Sequence, residues 1–367
     1  MADDVMSIDA QTYPVSRIDL VEVRVAIDEK LREFFAGKAT WANGSELADV
    51  VDALRDYLLG GGKRLRPLLA YCGWRAAGGK AGHDPALRAA ASLELFHAFA
   101  LIHDDIIDVA ESRRGRPSLH RTLARRHGDR GDAASVERLG TSSAILVGDL
   151  AMVWSDELLH ASGMSMRQLA AARPLLDAMR TELMYGQYLD LMGTGAAPRD
   201  AGAALTIARY KSGKYTIERP LHIGARLAGA DQRLLDACSA FGLPIGEAFQ
   251  LRDDLLGIFG DPVVTGKSRL DDLRDGKGTV LLALALRRAD ESGRATLTRL
   301  VGDPELDEEG AARVRRVFVD SGAVGVVEEM IQERLRQGLA VLDSAPFQPE
   351  AAAALREMAH AATVRAA

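Results

Sequence analysis

The chain has 367 residues, is dominated by Ala, Leu, Arg, Asp and Glu, and carries only 5% aromatics; this mix favours helices packed on helices over sheets and gives an all-α fold as the first expectation. A formal net charge of -6 excludes the broad basic excess of a general nucleic-acid binder, while leaving room for one local anion site. Cys72 and Cys238 lie far apart without metal-ligand spacing, so neither a disulfide framework nor a zinc site is expected and both read as small core residues.

Residues 1–14 are acidic and poor in apolar side chains; they are expected to be disordered and lack the charged-then-apolar pattern of a secretory signal. From 18 to 35 apolar residues recur at three- and four-residue intervals, which reads as an amphipathic helix. A second helix is predicted over 46–59, stopped by Gly60, Gly61 and Gly62, because a glycine triplet is costly inside a helix and useful where backbone must turn. Further helices are predicted over 67–77, 85–109, 135–161, 166–192, 201–210, 217–227, 232–259 and 279–289, with more beyond Glu305. The breakers between them are too short for domain linkers, so residues 15–367 read as a single helical domain. The alanine-rich stretch 351–367 is expected to form a weakly held terminal helix. No segment reaches the ~18 uninterrupted apolar residues of a membrane span, and a soluble, cytoplasmic protein is the expectation.

The sharpest feature is Leu101-Ile-His-Asp104-Asp105-Ile-Ile-Asp108, three aspartates at the end of an otherwise apolar helix. Asp104 and Asp108 fall one turn apart on one face, with Asp105 beside them. Like charges so close repel, and a buried helix that ends in them points them into a cleft where a cation compensates. Hard oxygen ligands with room for water suit magnesium. A second pair, in Phe249-Gln250-Leu-Arg252-Asp253-Asp254, sits in another apolar-periodic helix, with Gln250 one turn before Asp254. Two acidic faces about 150 residues apart can close on one metal cluster.

Cations that could grip phosphate occur at the break points of the helical pattern. Lys63 and Arg66 stand at the start of a helix after the glycine triplet, where free amides and the helix dipole favour an anion. Arg113 and Arg114 follow the first acidic cluster, with donor forks suited to phosphate oxygens. Lys211 with Lys214, and Lys267 with Lys277, form two further groups.

At these residues the chain resembles the trans-isoprenyl diphosphate synthases: Gly61-Gly-Lys-Arg-Leu-Arg-Pro67, Asp104-Asp-Ile-Ile-Asp108 followed by Arg113-Arg114-Gly, and Phe249-Gln-Leu-Arg-Asp-Asp254 with Thr265-Gly-Lys267 occur in the family's order. The resemblance implies a helical bundle around a central cavity, of isoprenoid synthase type, and a homodimer. It implies that Asp104, Asp108 and Asp253 ligate Mg2+, three ions with diphosphate bound, and that Asp105 and Asp254 support them. Arg113, Lys211, Gln250, Lys267 and Lys277 would hold the allylic diphosphate (dimethylallyl, geranyl or farnesyl), while Lys63, Arg66, His97 and Arg114 would anchor isopentenyl diphosphate. Two departures stand out: the second acidic motif has Gly257 where the family usually has a third Asp, and Ser212 follows Lys211 where Thr is common.

The reaction implied is ionisation, condensation and elimination. Product length in the family follows the residues before the first motif; here Phe99, five residues before Asp104, would cap the tunnel and Ala100 would leave space, which implies geranylgeranyl diphosphate (C20), with farnesyl or longer products as the alternative. More distant readings are a class I terpene cyclase, a non-catalytic partner subunit, and a di-iron protein built on the Glu-x-x-His pairs Glu94/His97, Glu157/His160 and Glu357/His360.

Overall fold

The structure is a computed structural model that describes residues 17–42, 47–128, 131–193, 200–262 and 268–363. Helices follow one another as α1 (Leu20–Ala42), α2 (Leu47–Leu59), α3 (Leu65–Ala76), α4 (Asp84–Ile107), α5 (Leu119–Arg126), α6 (Ala133–His160), α7 (Met166–Gly193) and α8 (Ala201–Ala208). A π-helical segment, Arg209–Glu218, runs directly into α9 (Arg219–Leu227). Then come α10 (Gln232–Phe259), α11 (Asp271–Arg274), α12 (Val280–Arg288), α13 (Glu291–Leu300), α14 (Glu308–Asp320), α15 (Ala323–Ser344) and α16 (Pro349–Thr363). The expectation on residues 1–14 and the lysine at position 267 lie outside the described residues.

Local chemistry sets where these helices begin. Asp132, Asp200, Asp231, Asp290 and Asp307 each cap a helix by accepting the backbone N–H three residues on, and Thr279 does the same for α12. Each such cap stabilises its helix by about 1 kcal/mol. The strands in the described residues are a two-residue hairpin, Ser112–Arg113 with Arg116–Pro117, whose turn residues Arg114 and Gly115 have φ of 56° and 72°, the positive values that a tight hairpin demands.

Helix α4 lies at the centre, buried along most of its length and packed against α6, α3 and α1. By length and composition it could cross a bilayer, but 72% of its apolar window is buried inside the protein, as in a core helix. Among the described residues there are two apolar clusters, one around α1 to α9 with α16 and one around α11 to α15. Helix α10 belongs to both, through Phe241 and Ile245 on one side and Leu251 and Leu255 on the other. Helices α3 and α9 meet at a pair of glycines: a Cβ on Gly224 would lie 1.7 Å from the Ala70 carbonyl oxygen, and one on Gly73 2.2 Å from that of Leu221.

Three sequence expectations change. The hairpin, α5 and α13 were not anticipated; α5 and α13 are short amphipathic helices whose buried large apolar side chains are Leu119 and Leu123, and Leu297 and Leu300, a weaker apolar signal than that of the longer helices. The alanine-rich C-terminus is firmly held, with Ala351, Ala354, Leu355, Met358 and Ala359 buried at helical spacing where α16 packs on α3 and α15, because small side chains permit close approach. The predicted gap between 210 and 217 is helical, since the chain widens into the π segment instead of breaking. Pro220 lacks an N–H, and the Arg219 amide reaches back to the Lys214 carbonyl, so the wide turn accommodates the proline.

Substituting Gly224→Ala is expected to cost about 1–3 kcal/mol through overpacking against backbone, whereas Gly37→Ala on α1, with nothing within 4 Å of a built Cβ, is expected to be neutral or stabilising by up to about 1 kcal/mol. Thermal unfolding of the two variants checks this; equal melting points would show that the α3–α9 contact tolerates a methyl group.

Candidate active site

The two acidic walls face one cavity. Asp104 on α4 and Asp253 and Asp254 on α10 line a space of about 280 Å³ together with Arg113, Gln250, Lys211 and Lys277. Backbone contact brings the helices together: a Cβ on Gly186 of α7 would lie 2.3 Å from the Lys211 nitrogen, and one on Gly246 of α10 would lie 2.5 Å from the Gly213 Cα. Without side chains at these points, α7 and α10 clamp the π segment from both sides. Lys211 is thereby aimed at the first wall, where it meets Asp190 at 2.6 Å and Asp104 at 3.2 Å. Lys211 and Lys214 do not stand at a helix break, as the sequence pattern implied; they stand where a continuous helix is widened, a recurrent feature of functional sites. Lys214 points away, to Glu182 and Glu218.

Each aspartate of the first wall has its own role. Asp104 accepts hydrogen bonds from Gln187 Nε2 at 3.1 Å and Arg113 Nη2 at 3.2 Å. Asp105 is fully buried and takes Arg113 Nε at 2.7 Å and the Tyr57 hydroxyl at 3.3 Å, so it anchors Arg113 where that side chain lines the cavity. Asp108 ends the helix, with Lys277 Nζ at 3.8 Å. On the second wall Gln250 Nε2 donates to Asp254 Oδ1 at 2.7 Å.

Burial raises the cost of every charge here, and neighbours decide which survive. For Asp104 burial is outweighed by Lys211 and Arg113, which hold its carboxyl well below the usual range. Asp108 is pushed up by burial and by repulsion from Asp104. Burial pushes Asp254 up to about 7 despite the Gln250 hydrogen bond, with Asp253 and Asp272 adding repulsion. Burial opposes the Lys277 ammonium, yet Asp272 and Asp108 raise it well above its ordinary value.

Among the described residues no three carboxylate, imidazole or thiolate groups are gathered as a ready-made metal cage. The donor set nevertheless fits magnesium, which takes one or two carboxylates and completes its octahedron with water and phosphate. Asp104, Asp108 and Asp253 could hold it, and a divalent cation there would relieve the repulsion from Asp104 that adds to burial in pushing Asp108 up.

Beside the acidic walls lies a second, cationic corner. Arg66 and His97 line the same cavity; the Arg66 guanidinium lies 4.2 Å from the Tyr215 ring centre and donates to Thr216 Oγ1 at 2.6 Å, while His97 Nδ1 is 3.1 Å from the Tyr215 hydroxyl. Arg114 Nη1 donates to the Gly61 carbonyl at 2.7 Å, tying the hairpin to the glycine loop that carries the exposed Lys63. The loop is shaped by Arg64, buried, with φ 52°. It pairs with Asp28 at 2.6 Å and Glu94 at 2.9 Å and donates to the Gly61 and Leu58 carbonyls.

Of the chain-length pair, Ala100 lines the cavity. Phe99 is buried in the wall beneath it, against Phe96 at 5.4 Å and His103 at 4.7 Å between ring centres. The Glu-x-x-His pairs are engaged elsewhere: Glu94 with Arg64, Glu157 with Lys38 and Glu357 with Arg17. Gln187, Asp190, Tyr215, Thr216, Arg64 and Asp272 were missed by sequence reasoning. The available signals were faint: the helical spacing of Gln187 and Asp190 after Gly186, and the proximity of Arg64 to Lys63.

Residues 48–318 match the sequence pattern of the polyprenyl synthetase family. A geranylfarnesyl diphosphate synthase of Aeropyrum pernix is 35% identical over 289 residues, 78% of this chain and 84% of that protein. A (2E,6E)-farnesyl diphosphate synthase of Mycobacterium tuberculosis is 31% identical over 302 residues, 82% of this chain and 78% of that protein. The crystal structure of a geranylgeranyl pyrophosphate synthase from Corynebacterium glutamicum, complexed with isoprenyl diphosphate and magnesium, superposes with a TM-score of 0.91 at 40% identity, covering 95% of this chain and 100% of that one.

Burial first, then Arg66 and Arg114, hold the His97 imidazole well below its ordinary value of 6.5, so it stays neutral in the fold. Below pH 6.5 the unfolded chain therefore takes up a proton that the folded one refuses, and stability falls with falling pH by about 1.4 kcal/mol per unit from this residue. His97→Gln is expected to remove that part of the slope. Equal slopes for variant and parent in unfolding titrations would show that the imidazole is protonated in the fold.

Proposed function

Because this chain belongs to the polyprenyl synthetase family and is a trans-isoprenyl diphosphate synthase, a prenyltransferase, we propose that it joins allylic diphosphates to isopentenyl diphosphate with three magnesium ions and makes geranylgeranyl diphosphate. The observation that carries the reading is that Asp104 and Asp253, from helices far apart in sequence, line one cavity with Lys211 and Lys277 between them. Had these aspartates pointed to opposite sides of the molecule, no shared diphosphate site could exist.

Magnesium supplies charge neutralisation at the leaving diphosphate, the main electrostatic contribution expected of such a site. Arg113, Lys211, Gln250, Lys277 and Lys267 grip the allylic diphosphate, so that the carbon–oxygen bond breaks with its electron pair on the departing phosphate. Arg66, His97, Lys63 and Arg114 hold isopentenyl diphosphate with its double bond toward the allylic cation. That double bond attacks, the new carbon–carbon bond forms, and a proton passes from the isopentenyl unit to the released diphosphate. His97 is neutral, so it can accept or donate a hydrogen bond without adding a further positive charge near the cation. The Tyr215 ring lies against the Arg66 guanidinium, 4.2 Å from ring centre to guanidinium carbon, and so fixes its position in this corner.

Product length follows from what the growing chain meets along α4. Ala100 leaves space one turn below Asp104, and the Phe96–Phe99 pair closes the next turn. The similarity to the Corynebacterium glutamicum geranylgeranyl synthase supports the same C20 length. A homodimer is part of the proposal: Leu146 and Val153 on α6 and Tyr185, Tyr188, Leu191 and Met192 on α7 are exposed apolar side chains at helical spacing, an arrangement that a partner helix covers.

Purified protein given magnesium, farnesyl diphosphate and isopentenyl diphosphate is expected to yield a C20 alcohol after dephosphorylation. A dominant product of C25 or longer would overturn the length assignment, and no prenyl transfer at all would overturn the function. Phe99→Ala is expected to lengthen the products; an unchanged distribution would remove Phe99 from the floor. Asp104→Asn and Asp253→Asn are each expected to lower kcat by a factor of about 10² or more, and steady-state rates within a factor of about three of the parent would refute their role.

A further inference from the structure

Helices α4 and α7 run side by side in the same direction, and their residues meet level by level. Gln187 Nε2 donates to Asp104 at the top of the cavity, and Leu183 and Ala100 line it further down. About two turns below the aspartate, the Arg180 guanidinium carbon lies 5.6 Å from the Phe96 ring centre. Phe96 is buried and packs on Phe99 at 5.4 Å, so Arg180 stands behind the aromatic pair on α4. Its guanidinium is ion-paired with Asp156 of α6, while its Nε is buried with no hydrogen-bond partner among the described residues. The Arg180 and Asp156 side chains are 25% and 41% exposed, which places the pair at the border between the interior and solvent. An ion pair so exposed adds little to stability, and its effect falls instead on what can lie against Phe96.

We infer that the Arg180–Asp156 pair is an electrostatic stop on chain growth, placed behind the steric one at Phe99, and that it sets how far a product can lengthen once that ring is gone. The inference rests on the proposed prenyl transfer, in which the growing tail descends along α4. A hydrocarbon tail that passed the Phe96–Phe99 pair would lie against the guanidinium, strip it of water and offer it no acceptor. Covering a charge without replacing its solvation is unfavourable, and Nε already lacks a partner. A further isoprene unit is therefore opposed here in a way that an apolar wall of the same size would not oppose it. Charge, and not bulk, is the decisive property. Asp156 acts through Arg180 as a positioning residue: without its carboxylate the long cationic side chain can swing its head out to water.

Product distributions in the Phe99→Ala background separate charge from bulk. Phe99→Ala alone is expected to stop one unit longer, at C25. Adding Arg180→Met is expected to make C30 or longer products dominant, adding Arg180→Lys to keep the Phe99→Ala distribution, and adding Asp156→Asn to shift it part of the way. In the parent, Arg180→Met is expected to leave C20, because Phe99 still closes the path. Equal lengthening by Met and Lys would mean a steric stop, and no lengthening by Met would mean that the pair takes no part; either result overturns the inference. A second readout needs no turnover: thermal stabilisation by C20 and C30 polyprenyl diphosphates with magnesium, compared on the same variant so that a shared loss of stability cancels. The preference for C30 over C20 is expected to rise about tenfold from Phe99→Ala to Phe99→Ala with Arg180→Met, and an unchanged preference overturns the inference. Absence of prenyl transfer in the parent would sink the proposed function by itself, with the binding preference still deciding whether the charged stop exists.

Discussion

The whole site turns on burying several negative charges in one cavity. Asp104, Asp105, Asp108, Asp253 and Asp254 would repel one another out of the protein interior unless each had a cation or a donor within reach, because an unpaired buried charge is far more costly than a paired one. Arg113 answers Asp105 and Asp104, Lys211 answers Asp104 and Asp190, and Lys277 answers Asp272 and Asp108. Under the proposed function these same cations meet phosphate oxygens, so the groups that make the acidic walls foldable would also recognise the substrate.

That double duty explains the irregular backbone around the cavity. The non-glycine residues with positive φ in the described chain are Arg64, Val109 and Arg114, all in the segments that flank the first wall or carry the cationic corner. Such conformations are costly and persist where the surroundings overdetermine them; Arg64 is held by two carboxylates and two carbonyls. The π segment is the helical counterpart: Gly186, Gly213 and Gly246 let three helices touch, and the widened turn sets Lys211 toward one wall while Lys214 serves a separate network.

Fold class and the two acidic motifs are legible in the residues themselves. Asp104 and Asp108 carry a local signal, spacing on an apolar helix, and the glycine triplet before Lys63 marks a helix start in any context. Helix α10 was placed at its full extent because its apolar repeat is uninterrupted. Asp190, Gln187, Tyr215 and Asp272 had no comparable signal, since a single polar residue on a helix looks the same whether it faces solvent or a cavity. The stretch between 210 and 217 falls outside the predicted helices, and only packing of α7 and α10 against it makes a wide helix more favourable there than a turn.

Sequence alone therefore determined which charges share a helix face, because helical periodicity places residues three and four apart on one face and that rule is local. Tertiary structure decided which of those charges meet: that Asp105 turns inward to hold Arg113, that Phe99 is buried while Ala100 lines the cavity, and that Asp272 and Asp108 share Lys277. These are contacts between segments distant in the chain, fixed by steric fit and charge balance across helices, and neither quantity is encoded at any single position.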